Sequence, residues 1–114
     1  MEINTSQILK GILEVCVLKI ISKRDMYGYE INEKLSEYKL NMVAQGTIYP
    51  LLLKLEKEKL LTSYSTALSS GPPRKYYKIT KKGIKYINDF IPIWKNIYTA
   101  INNILNIKGE NNED

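Results

Sequence analysis

The stretch "QGTIYPLLLKLEKEKLL", residues 45–61, decides how this chain is read. Ile48, Leu51, Leu52 and Leu55 recur at helical spacing and make one apolar stripe. Pro50 falls within the first turn or just beyond it, where a missing N–H costs least. With the stripe turned inward, Thr47, Tyr49, Leu53, Lys54 and Lys57 lie largely outward. A threonine, a tyrosine and two lysines on an outer face suit a duplex better than a protein core.

Upstream, "SKRDMYGYE" is a charged turn leading into a helix from about Met26 or Tyr27 to Tyr38, with Ile31 and Leu35 inward. Gly28 at its start allows close packing or the close approach of a phosphate. "KLNMVAQG" then reads as a loop anchored by Leu40 and Val43. The first helix runs from Thr5 or Ser6 to Ser22 and is apolar nearly all round, which calls for burial on several sides and suggests a partner chain. Downstream the period changes. "LTSYSTA" and "RKYYKIT" alternate like strands, and "LSSGPPR" between them makes a long, basic-flanked tip. Tyr76 and Tyr77 point to opposite faces, so one packs beneath the reading helix.

Thr80 caps a last helix of residues 81–107. Ile84, Ile87, Ile91, Trp94, Tyr98, Ile101 and Leu105 step alternately by three and four, a heptad seam. Such a helix is roughly 40 Å long, more than so small a domain covers. A two-fold homodimer is the default explanation. Ile8 and Ile12 of the first helix are expected to join Ile87, Ile91, Trp94, Tyr98, Ile101 and Leu105 in that interface. Pro92 is expected to kink the helix near Asn88–Ile91.

The order is helix, helix, helix, hairpin, long helix. That is mainly α with a small β-hairpin: a winged helix-turn-helix over residues 1–80, a C-terminal dimerisation helix over 81–108 and a disordered tail, 109–114. The 114 residues, 44% hydrophobic and 25% charged, suit one such domain. The chain has no histidine and one cysteine, Cys16, so no thiolate or imidazole zinc site can be built, and no catalytic constellation is present. Cys16 reads as a buried thiol in a reducing cytosol. The first residues, "MEINTSQILKG", do not read as a signal peptide, having no basic n-region, and the most apolar run is too short and too charged to span a membrane, so the expected location is cytoplasmic. No cofactor is implied.

Charge placement is informative. Residues 1–46 carry six basic and six acidic side chains, residues 47–82 carry eight and two, and residues 83–114 carry three and four: net 0, +6 and −1. A basic excess confined to the hairpin and the helix before it is the footprint of a polyanion.

Three motifs, "YGYEI" at 27–31, "GTIYPLLLKLEKEKLL" at 46–61 and "GPPRKYYKITKKG" at 71–83, resemble the PadR family of bacterial transcriptional regulators. "QILKGILEVCVLKII" is similar to the family's first helix, so the likeness spans most of the chain. The resemblance implies a winged-helix homodimer, usually a repressor, joined through its first and last helices. Carried over by motif, Tyr27, Thr47, Tyr49, Pro50 and Lys54 should face DNA from the helices, and Arg74 and Lys75 from the wing. The single C-terminal helix looks like the family's compact branch. In multidrug-sensing members of that branch a tryptophan stacks on planar aromatic drugs between subunits. Trp94 stands in the matching place, as an effector site or simply as a seam residue. The competing reading is a winged-helix module that binds a protein or a small molecule without operator-specific DNA binding. The concentrated positive charge argues against it.

Overall fold

The helix ends of this chain are closed by residues in the left-handed region and by a side chain that serves the open backbone. A computed structural model describes residues 2–40, 45–67 and 71–108. The elements are α1 (Thr5–Leu9), α2 (Leu13–Lys23), β1 (Met26–Tyr27), α3 (Gly28–Glu37), α4 (Gln45–Lys57), β2 (Leu61–Thr66), β3 (Arg74–Ile79) and α5 (Lys81–Leu105). The expected loop anchor Val43 and the expected disordered tail lie outside the described residues.

Two boundaries differ from expectation. The first helix is two helices, because Gly11 takes a left-handed φ of 90° that a continuing helix cannot accommodate. The helix after the charged turn starts at Gly28, not at Met26 or Tyr27. Those two residues are a short strand that adds to the hairpin, giving a three-stranded antiparallel sheet in the order β1-β3-β2. The paired residues are Met26 with Tyr77 and Tyr27 with Tyr76 on one side of β3, and Leu61 with Ile79 through Thr66 with Arg74 on the other.

The core sits where α2, α3 and α4 meet the inner face of this sheet. Val17, Leu18, Ile21, Ile31, Leu35, Ile48, Leu52, Leu55 and Leu61 are almost wholly buried. α2 is indeed apolar on most sides, and its neighbours are α3, β3 and α5 of the same chain. Tyr77 belongs to the core, and Tyr76 faces the other side of the sheet.

α4 hands over to the sheet and α5 through a shared cap. Lys59 takes φ 66°, and the N–H groups of Lys59 and Leu60 return to the carbonyls of Glu56 and Leu55, both at 2.9 Å. The Thr80 hydroxyl is 2.8 Å from the Lys59 carbonyl, to which it donates, and it accepts from the Gly83 N–H at 3.0 Å. One side chain thereby ties the end of α4 to the start of α5. α5 is continuous through Pro92. Pro92 lacks the N–H that would bond the Asn88 carbonyl, and Asn88 is an exposed residue. Among the described residues no helix is long and apolar enough to cross a membrane.

Candidate nucleic-acid interface

The buried stripe of α4 sets which side chains it presents. Ile48, Leu52 and Leu55 are at most 1% exposed and Leu51 is half-buried. At about 100° per residue this stripe turns Tyr49 and Leu53 toward the wing and Thr47 and Lys54 toward α2, with Pro50 exposed between the two flanks.

Four of the seven residues expected to face DNA come together on the wing flank. Tyr27, Tyr49, Arg74 and Lys75, with Leu53 and Tyr77, line a shallow hollow of about 310 Å³ between α4 and the sheet. Gly28 makes this possible. A β-carbon there would lie 2.9 Å from the Tyr49 ring, so of the two uses foreseen for this glycine the structure shows close packing. Thr47 is on the opposite flank, beside Asn4, Gln7 and Lys10. Lys54 is on that flank too, its Nζ 2.6 Å from Glu14 Oε2 of α2. That carboxylate accepts a hydrogen bond from Lys54 and pushes the ammonium pKa up.

The positive charge of this region is therefore partly spent inside the molecule. Lys75 pairs with Glu56 at 3.3 Å, across the gap between wing and α4. Glu56 also accepts the Ser63 hydroxyl at 2.5 Å. Ser63 and, after it, Lys75 hold the Glu56 carboxyl below the usual range against the opposing effect of partial burial. Lys82 donates to the Glu58 carbonyl at 3.0 Å, at the negative end of α4. Lys57, Lys59, Arg74, Lys78 and Lys81 enter no ion pair among the described residues.

The outer face of the sheet carries an aromatic row absent from the sequence-based expectation. Tyr27, Tyr76 and Tyr64 are successive cross-strand partners. Their ring centroids are 5.4 Å apart for Tyr27–Tyr76, edge to face, and 5.7 Å for Tyr76–Tyr64, stacked. Tyr64 donates to Asp25 at 2.7 Å, and that hydrogen bond raises the phenol's pKa. The alternation of "LTSYSTA" placed Tyr64 on one face, but only the hairpin register sets it opposite Tyr76. Glu14 gave no local signal at all, being forty positions from Lys54.

The residues expected at a dimer interface divide. Ile91, Trp94, Tyr98, Ile101 and Leu105 are exposed along α5, and Ile8 is 60% exposed on α1. Ile12 is half-buried against the core. Ile87, by contrast, is 4% exposed and packs in the chain's own core, because the first turns of α5 lie along α2. It is not available to a partner. Phe90, Trp94 and Tyr98 follow one another on the projecting helix, with centroids 6.5 and 6.1 Å apart. Among the described residues no cluster of three or more His, Cys, Asp or Glu could hold a metal.

Comparison with known proteins agrees with this architecture. The model of the Transcriptional regulator PadR-like family matches residues 17–89. A PadR-like transcriptional regulator from Bacillus cereus is 47% identical, superposes with a TM-score of 0.77, and the match covers 91% of this chain and 99% of that one. A curated protein of Lysinibacillus sphaericus is 33% identical over 98 residues, 84% of this chain and 90% of its own length. Bacillus subtilis PadR in complex with operator DNA is 26% identical with a TM-score of 0.65, over 71% of this chain and 47% of that one. This chain belongs to the PadR-like family of DNA-binding transcriptional regulators.

Proposed function

We propose that the chain acts as a homodimeric repressor that binds a pseudo-palindromic operator. α4 enters the major groove, and the wing contacts the flanking backbone or minor groove. The observation that carries this reading is the convergence of Tyr27, Tyr49, Arg74 and Lys75 on the wing flank of α4, with Arg74 in no ion pair among the described residues. The operator complex of the related Bacillus subtilis protein supports extending it to this chain. Residues 1–80 form the DNA-binding unit and 81–108 the dimerisation helix. Ile8, Ile91, Trp94, Tyr98, Ile101 and Leu105 make the contact, since a continuous exposed apolar stripe of this kind marks an interaction site. Half-sites are spaced by about one helical turn, roughly 10 bp, or a multiple.

The Phe90–Trp94–Tyr98 ladder supports the effector part of the proposal: a planar aromatic ligand stacks on Trp94 and releases the operator. It does so by favouring one arrangement of the two reading helices over another.

Fluorescence anisotropy tests both parts. Titrated onto its own upstream intergenic DNA, the protein binds more tightly than to scrambled duplex. The log–log salt slope is about −0.9 per neutralised phosphate. Equal, weak binding to both duplexes counts against an operator there. Trp94→Ala retains DNA binding and loses the response to planar aromatics; a response that survives makes the tryptophan structural.

A further inference from the structure

The motif reading makes Tyr27 a residue that touches DNA itself. The geometry points to a different role. We propose that Tyr27 is a positioning residue that holds Arg74, at the start of the wing's second strand, ready for the nucleic acid. The proposal rests on the DNA-binding reading above and says which residue orders that cation.

Arg74 is exposed and makes no ion pair among the described residues, and its guanidinium lies over an aromatic ring. Its Cζ stands 4.7 Å from the centroid of the Tyr27 ring, the distance of a cation–π contact. The ring is itself held from several directions. Its backbone pairs with Tyr76 in the sheet, and its N–H donates to Glu30 Oε1 at 3.2 Å. Its ring meets the Tyr76 ring at 5.4 Å, and Tyr76 in turn stacks on Tyr64, which is tied to Asp25. Tyr27 is thus backed by a ring on the central strand that is itself stacked on Tyr64, and Tyr64 is tied back to Asp25, just before β1. A long side chain held in place before binding loses less freedom on reaching a phosphate or groove, so affinity rises without a new contact. Lys75, the next residue, points to the other face and is taken by Glu56. Arg74 is therefore the wing cation left for DNA at this position.

The test is a double-mutant cycle on operator affinity, with thermal melting to check that each variant is folded. Tyr27→Ile keeps a strand-forming residue and removes the ring; binding falls about fivefold, the size of an exposed cation–π contact. Tyr27→Phe keeps the ring and binds like the wild type. Arg74→Ala weakens binding and lowers the salt slope by about one contact per protomer. Tyr27→Ile then adds nothing in the Arg74→Ala background. A Tyr27→Phe variant as weak as Tyr27→Ile, or additive losses in the cycle, overturns the proposal, since the hydroxyl or the ring would then act on DNA directly. Arg74→Ala without effect fails differently: it removes the wing from the DNA interface. One measurement needs no variant. The Arg74 side-chain protons of the free wild-type protein are shifted upfield by the ring current, and random-coil shifts there overturn the proposal whatever the variants do.

Discussion

The winged part of the molecule and the far half of α5 treat apolar side chains in opposite ways. In the winged part, Leu18, Ile31, Leu52 and Leu55 are sealed inside, and the surface is left to charge and tyrosine. Along α5, Gly83 and Ile87 are buried and Phe90 half-buried, after which Ile91, Ile93, Trp94, Ile97, Tyr98, Ile101 and Ile104 are all at least 37% exposed. Ile84, the first residue of the heptad seam, is already 47% exposed, so it is the Gly83–Ile87–Phe90 side of the helix that lies on the domain, and roughly 22 Å of helix follows Phe90 at 1.5 Å per residue. An apolar stripe is thus buried on the side and over the length that the domain reaches, and exposed elsewhere. The winged part satisfies itself, whereas the projecting helix leaves its apolar surface in water until something covers it.

The largest expected effect comes from charging the projecting stripe. Ile97→Asp with Ile101→Asp places two carboxylates where a partner helix would pack. Analytical ultracentrifugation should show a dimer in the wild type and a monomer in the double variant, with the winged part still folded by circular dichroism. If the variant stays dimeric, the stripe is not the interface. Next in size is a truncation made in each region of that monomeric background. Leu52→Ala, at a position with no exposure, should cost about 2–5 kcal/mol in chemical denaturation. Ile104→Ala, 80% exposed, should stay within about 0.5 kcal/mol. Comparable losses at both sites would mean that the far helix folds back on its own domain.

The smallest effect concerns the bridge inside the winged part. Glu56 has its carboxyl pKa depressed by Ser63 and Lys75, so it contributes stability above its unfolded value, about 4.3, and loses it as pH falls through the lower folded value. Glu56→Gln should therefore cost less than about 1 kcal/mol at pH 7. The difference from wild type should close as pH falls through that lowered folded value, as thermal melts across pH would record. A gap that widens toward acid would reverse the assignment.

Much of this was open to a reader of the chain. The stripe Ile48, Leu52, Leu55 is periodic, and periodicity is a local property, so α4 and its outward face could be placed without a structure. The same holds for the hairpin strands and for the Thr80 cap, which the structure shows accepting from Gly83 three residues on. The two boundary errors have separate causes. Gly11 lies in an apolar run in which nothing nearby marks a break, and its left-handed φ shows only in the backbone. Met26 and Tyr27 are too short a strand to carry a period; they are strand because β3, some fifty residues later in the chain, offers them an edge.

Sequence alone specified the helix periods, the caps, the alternation of the wing and the concentration of basic residues in its middle third, because each depends on neighbours a few positions apart. Folding decided which of those cations remain for a partner. Lys54 meets Glu14 and Lys75 meets Glu56, whereas Arg74 rests on Tyr27. It also decided that Ile87 is core and Ile91 is surface, two residues four apart on one seam. Both outcomes are contacts between distant segments, and a charge or an apolar side chain acquires its role only when the packed chain supplies, or withholds, the group beside it.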